Sequence, residues 1–308
     1  MGKYAPAALV AALLVATGLS FLYVESLKLE PSPIRATRVT KVFSPGCRCG
    51  SSKARISFRV GKPDAVAVSI VDAAGHDVRD IAVNRTVSTR PVAFLWNGRD
   101  NAGVVVRDGL YRPRVRLDLV EKTFVLQNPI QVDTKPPRVT VGTVQPRVIS
   151  PDGDRRSDRV DVAFRVDQRA QSSLLVAGVQ RVLGRPARLA GVLRWYGQVG
   201  GTSLAAGTFP LAVVAVDAAG NRSQPASAGS VRIRYIELGK DAFRVHANGA
   251  LAIPVSTDAT SVTWRIAGRR GSGKPPVVRL RAPASPGTYA LYVIARGHAA
   301  RARVMVIP

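Results

Sequence analysis

The sequence is poor in the residue types on which many catalytic and metal sites depend. Its 308 residues include two cysteines, three histidines and 6% aromatic residues. The histidines (His76, His246 and His298) are far apart, and together with one Cys-x-Cys pair they do not form a zinc motif. The chain also has no Gly-x-Ser-x-Gly, Walker-type Gly-Lys-Ser/Thr or His-Glu-x-x-His motif. We therefore expect no enzyme activity, and no cofactor apart from the calcium considered below.

Acidic residues are also scarce. The chain has 45 Lys and Arg residues against 20 Asp and Glu, which gives a net charge of +25. Such a surplus attracts polyanions, including nucleic acid, anionic lipid and acidic wall polymers. An Arg-, Ala- and Val-rich composition also follows from codon bias in a GC-rich genome, and the arginines are spread along the chain. Two interpretations stay open: a selected polyanion-binding surface, or a general basicity of composition.

One long uncharged stretch lies near the start of the chain. Residues 5–24 read APAALVAALLVATGLSFLYV, and about 20 helical residues at about 1.5 Å each cover a hydrocarbon core of about 30 Å. This pattern favours an uncleaved transmembrane helix within residues 1–24, followed by a tether over 25–40. A cleaved signal peptide is the alternative. We expect contact with the membrane through residues 5–24 and a single-pass localisation in the cell membrane.

The sequence gives two conflicting indications of the orientation of this helix. Lys28, Arg35, Arg38 and Lys41 follow the stretch, and a positive-inside count places the body in the cytoplasm. The β-sandwich fold and the cysteine pair, both considered below, favour a body outside the membrane. We expect an extracytoplasmic body, with a cytoplasmic one as the alternative.

The rest of the chain repeats one unit. SPGCRCGSSKARISFRV (residues 44–60) and SPDGDRRSDRVDVAFRV (150–166) align without a gap, and a shorter third copy closes the chain. Alternating apolar runs separated by Gly and Pro are typical of antiparallel sheets packed as sandwiches. The sequence therefore predicts an all-β protein with three modules, at residues 41–133, 134–235 and 236–308.

Each copy has a Trp followed by a Gly-x-aromatic step before a strand. We interpret these large side chains as structural core, because burying one stabilises a fold by roughly 1.5–3 kcal/mol. Sugar-stacking platforms are the alternative interpretation. The six residues are Trp96, Tyr111, Trp195, Phe209, Trp264 and Tyr289.

The first copy carries a more specific pattern. The stretch FLWNGRDNAGVVVRDGLYRPRVRLD resembles the closing half of the FlgD/Vpr-type immunoglobulin-like domain of bacterial surface proteins. The matching residues are Phe94, Trp96, Gly98, Asp100, Gly103, Gly109 and Tyr111. The resemblance implies tandem immunoglobulin-like β-sandwich modules outside the membrane, which act as non-catalytic spacers or docking modules.

Acidic residues cluster in the opening loop of the second copy. Asp152, Asp154 and Asp158 stand in a Gly-containing loop, and clustered carboxylates with main-chain carbonyls can bind calcium. Three arginines stand among them, so a solvated turn whose Asp residues accept hydrogen bonds from backbone amides is the alternative.

The first copy has Cys47 and Cys49 where the second copy has Gly153 and Arg155. A local Cys-x-Cys bridge would tie this loop covalently, and its Cα atoms must then lie about 4.4–6.8 Å apart. An intermolecular bond, two free thiols and a metal site are the alternatives.

These features favour a membrane-anchored, extracytoplasmic scaffold or docking protein that binds a protein partner or an anionic cell-wall polymer. A nucleic-acid-binding protein is the second hypothesis, because it fits the charge. An accessory subunit of a neighbouring surface hydrolase is the third.

Overall fold

The computed structural model describes residues 5–28 and 32–308. Residues 1–4 of the predicted anchor and residues 29–31 of the predicted tether lie outside this description. The described chain divides into two compact units, residues 1–134 and 135–308. Apart from one helix, every regular element is a strand, so the all-β prediction is confirmed.

The helix α1 (Ala5–Lys28) corrects the localisation predicted from the sequence. Its described side chains cover residues 9–24, a stretch of 16 residues, or about 24 Å at about 1.5 Å per residue. Nowhere in the described chain is a helix both apolar enough and long enough to cross a bilayer. The predicted membrane contact through residues 5–24 and the predicted single-pass localisation in the cell membrane are therefore wrong.

The first unit holds one sandwich around a continuous apolar core. A three-stranded sheet (β1-β3-β6) and a six-stranded sheet (β2-β9-β7-β4-β5, with β8 beside β7) enclose this core. In β3, Ile56 and Phe58 face the core and Arg55 and Arg59 face solvent, because alternate side chains of a strand point to opposite faces. The strands are β1 (Ile34–Val39), β2 (Val42–Phe43), β3 (Ala54–Val60), β4 (Asp64–Val71), β5 (Asp77–Val87), β6 (Val92–Trp96), β7 (Gly109–Leu117), β8 (Lys122–Val125) and β9 (Ile130–Val132).

The second unit holds two sandwiches, each with its own core. In the second sandwich one strand, β12, joins both layers: its first half pairs with β10 and β14 and its second half with β13 and β17. The strands are β10 (Val139–Gln145), β11 (Val148–Ile149), β12 (Val160–Val176), β13 (Val179–Leu183), β14 (Arg188–Trp195), β15 (Gln198–Val199), β16 (Thr202–Ser203), β17 (Gly207–Asp217) and β18 (Ala226–Ile233).

The equivalent of β12 in the first sandwich is split into β3 and β4. Pro63 stands in the gap and has no backbone N–H for a ladder hydrogen bond. The second copy has Arg169 at this position, and its strand continues. One residue type therefore explains the difference in strand length between the two copies.

The third sandwich packs a three-stranded sheet (β19-β21-β24) on a five-stranded sheet (β20-β26-β25-β22-β23). The module boundaries predicted within residues 134–308 stay predictions. The strands are β19 (Glu237–Leu238), β20 (Ala242–His246), β21 (Ala250–Ser256), β22 (Val262–Ile266), β23 (Arg269–Gly273), β24 (Val277–Arg281), β25 (Gly287–Ala295) and β26 (His298–Ile307).

Candidate functional site

Four arginines share the outer surface of the three-stranded sheet in the first sandwich. Arg35 and Arg38 lie on β1, Arg55 and Arg59 lie on β3, and all four are exposed. Arg38, Arg55 and Arg59 line a shallow groove whose floor includes Ser57. We call these four residues the arginine face.

The register of the sheet brings like charges together on the arginine face. Arg35 lies directly opposite Arg59, and Arg38 lies opposite Ser57. Like charges that face each other across two strands destabilise a sheet. Strands β1, β3 and β6 contain no Asp or Glu, and none of the four arginines forms an ion pair with any residue of the described chain. The face is thus a concentrated positive surface that an external anion would stabilise.

The corresponding surface of the second sandwich contains an acidic side chain that pairs with two arginines. Asp161 occupies the position of Arg55, and its carboxylate lies 3.0 Å from Arg159 Nε and 3.5 Å from Arg194 Nε. The arginine face is therefore a property of the first copy and not of the repeated fold.

The predicted aromatic residues lie in or against the three cores. Trp96 and Trp195 are 0% and 3% exposed, and each indole N–H donates to the carbonyl three residues later, at 3.0 and 3.2 Å. Trp264 is 9% exposed, and Phe209 and Tyr289 are partly buried. The Tyr111 hydroxyl donates to the Arg107 carbonyl at 2.8 Å, and the Tyr289 hydroxyl likewise bonds four residues back.

The acidic loop of the second copy lies at the junction with the third sandwich. Asp152, Asp154 and Asp258 each place a carboxylate oxygen within 4.8 Å of those of the other two. Asp158 is not in this group, because its two oxygens accept the amide protons of Gly153 (3.0 Å) and Arg155 (2.7 Å). The structure thus brings together two of the three predicted acids and adds Asp258, which no sequence signal linked to the loop.

Burial controls the electrostatics of this carboxylate cluster. The Asp152 side chain is 3% exposed, and its Oδ1 lies 3.4 Å from the Nε of Arg296 in the β25–β26 turn. Burial raises the pKa of Asp152, and the neighbouring carboxylates of Asp154 and Asp158 raise it further. Burial also raises the pKa of Asp258, while the nearby Ser150 hydroxyl opposes this shift. Burial therefore disfavours the ionised forms of Asp152 and Asp258.

Cys47 and Cys49 form a disulfide in the opening loop of the first copy, with Cα atoms 5.2 Å apart. They occupy the positions of Gly153 and Arg155 in the second copy. The same loop is therefore closed covalently in one copy, and by hydrogen bonds to Asp158 in the other.

Comparison with known proteins finds structural similarities at low sequence identity. No protein-family model and no curated protein sequence match the chain. Similar solved structures include FlgD from P. aeruginosa (19% identity, 38% of this chain, 84% of that chain, TM-score 0.24). They also include the fibronectin(III)-like modules of Clostridium thermocellum CbhA (16%, 55% and 94%, TM-score 0.23) and a bacterial ice-binding adhesin (13%, 90% and 99%, TM-score 0.29). At these identities and TM-scores the comparisons assign no function to this chain.

Proposed function

We propose that this protein is a non-catalytic docking protein whose first sandwich binds an anionic cell-wall polymer through the arginine face. The observation that carries this proposal is the face itself: four exposed arginines without an acidic neighbour on their sheet, with Arg35 directly opposite Arg59. Arginine presents a planar donor fork that matches phosphate and carboxylate oxygens. A polymer with repeated anions would pair with several of these forks at once.

Nucleic acid is the other polyanion that the net charge of +25 suggests. Single-stranded nucleic acid is usually bound by basic grooves in which exposed aromatic side chains stack on the bases. The aromatic residues of β3 and β6 face the core, since Phe58, Phe94 and Trp96 are at most 3% exposed. The arginine face therefore offers contacts to the backbone anions alone, which favours a polymer without bases.

The test compares two variants with the same net charge. The face variant replaces Arg35, Arg38, Arg55 and Arg59 by Ser, the residue that already lies at position 57 on this surface. The control variant replaces four exposed arginines of other surfaces by Ser, namely Arg112, Arg165, Arg279 and Arg303. Binding of inorganic polyphosphate and of an oligothymidylate is measured over a range of salt concentrations.

We expect the face variant to bind polyphosphate at least about tenfold more weakly than the control variant. Its slope of log K against log salt should fall by about 3, since each lost phosphate contact removes about 0.7. Equal losses in both variants would show that the charge acts as a diffuse field of composition. A clear preference for the oligothymidylate would transfer the proposal to nucleic acid.

A further inference from the structure

The carboxylate cluster at the junction of the second and third sandwiches has the donor set of a cation site. Asp152 Oδ1 accepts the Asp154 amide at 3.2 Å, and Asp154 Oδ1 accepts the Arg156 amide at 2.7 Å. The Oδ2 atoms of Asp152 and Asp154 remain available, together with both oxygens of Asp258. All three side chains present oxygen, the atom that hard divalent cations select.

A second observation is independent of the acidic cluster. Ser150 is 2% exposed, and its hydroxyl has no hydrogen-bond partner in the described chain. Both carboxylate oxygens of Asp258 are also buried without a partner. The two groups are close enough for the hydroxyl to affect the Asp258 carboxyl, yet their geometry is not that of a hydrogen bond. Buried polar groups in folded proteins normally have partners, so these orphaned oxygens point to a missing ligand.

The charge and the spacing of the cluster both fit calcium. Three carboxylates face one cation of the protein, Arg296, so a charge of about −2 stays uncompensated when all three are ionised. Calcium binds six to eight oxygens at about 2.3–2.6 Å, so ligands on opposite sides of the ion lie about 5 Å apart. The three carboxylate oxygens lie within 4.8 Å of one another, so one such ion can reach all three.

We propose that Asp152, Asp154 and Asp258, with the Ser150 hydroxyl, bind one calcium ion that fastens the third sandwich to the opening loop of the second. Direct contacts already join the two sandwiches at this junction. Arg296 contacts Asp152, the His298 ring stacks on Tyr235 with ring centroids 3.6 Å apart, and the Thr257 hydroxyl donates to the Tyr235 carbonyl at 2.8 Å. The ion would join acidic side chains that otherwise repel each other, so the junction would be firm with calcium and looser without it.

The experiment uses the full chain, freed of metal with a chelator and then titrated with calcium chloride. Calorimetry should show one ion bound per chain, and calcium should raise the temperature at which the second unit unfolds. Asp258→Asn should abolish both effects, and in chelator it should itself raise that temperature because a repelling buried charge is gone. Asp241→Asn, which changes an exposed acid of the third sandwich, is the matched control and should behave as the wild type.

Two further measurements distinguish loss of the calcium site from a disturbed loop. Asp154→Asn should also abolish calcium binding, and its remaining side-chain oxygen can still accept the Arg156 amide, so the loop is retained. Calcium should slow amide hydrogen exchange in both residues 150–158 and residues 257–260. Absence of binding heat, or a calcium effect that persists in both Asn variants, would overturn the site. Protection of only one of the two segments would overturn the fastening.

Discussion

Gly98 is the position where a single methyl group should disturb the fold most sharply. Its φ is +70°, and a Cβ added there would lie 2.2 Å from Cγ and 2.9 Å from Cβ of Pro45. Gly103 offers a matched comparison, with φ +81° and no heavy atom within 4 Å of an added Cβ. Both residues need a left-handed backbone conformation, but only Gly98 also lies against a ring that the chain holds in place.

The two substitutions separate these two costs. A left-handed conformation costs a residue with a Cβ about 1–2 kcal/mol, so Gly103→Ala should lower the free energy of unfolding of the first unit by that amount. Overpacking against a fixed neighbour adds about 1–3 kcal/mol. Gly98→Ala should therefore cost about 2–5 kcal/mol in total, and the difference between the two variants measures the crowding against Pro45 and, to a lesser extent, Phe43.

The measurement is guanidinium unfolding followed by Trp fluorescence. Replacing Trp195 and Trp264 by Phe leaves Trp96 as the reporter, and this residue lies in the core of the first sandwich. Equal losses for Gly98→Ala and Gly103→Ala would refute the reasoning, because they would show that Pro45 moves aside freely.

Three other predictions concern side chains of both units. Tyr111→Phe should lower the free energy of unfolding of the first unit by about 1 kcal/mol, because the hydrogen bond of the hydroxyl is lost. The ring itself should still fit, since Phe209 occupies the equivalent place in the second sandwich. Denaturant titration measures the loss of stability, and a loss near zero would contradict the prediction. Replacing Cys47 and Cys49 by Ser should cost less than about 2 kcal/mol in the same titration, because the closed loop is very short. Intact mass should show the wild type two hydrogens lighter than its reduced form, and an unchanged mass after reduction would disprove the bridge. In chelator, the contribution of Asp258 to stability should be fully present below its ordinary pKa of 3.8 and be lost as the pH rises through its raised folded pKa. Thermal unfolding followed from pH 7 down to pH 4 should therefore show a larger gain on acidification in the wild type than in Asp258→Asn, and identical gains over that whole range would contradict this.

The strands could be predicted from the sequence because their information is local. In β3 the alternation of ARISFRV is the same as the alternation of buried and exposed side chains. Matching patterns around Trp96 and Trp195 also predicted equivalent environments, and both indoles make the same hydrogen bond three residues along the chain. Successive side chains of a strand point to opposite faces of the sheet, so a strand with one buried face alternates apolar and polar residues in its sequence.

The candidate sites depend on contacts that periodicity does not encode. Arg35 lies opposite Arg59 because of the register in which β1 pairs with β3. An irregularity between Arg35 and Arg38 shifts that register along β1. Asp258 lies close to Asp152 because the third sandwich packs against the opening loop of the second copy. The two residues are about one hundred positions apart in the sequence. A list of acids within one loop therefore included Asp158, which holds the loop together, and missed the acid that completes the cluster.

The opening loops of the first two copies show why a repeated fold can carry two chemistries. In both copies a Pro ring at the start of the loop lies against a Gly after the Trp strand: Pro45 against Gly98, and Pro151 against Gly197. This contact fixes where the loop begins, and the following strand fixes where it ends. The residues between these points are not needed for either core, so one copy can carry a disulfide and the other a set of carboxylates. The framework is conserved between the copies because it is packed, and the loop differs because its surroundings differ.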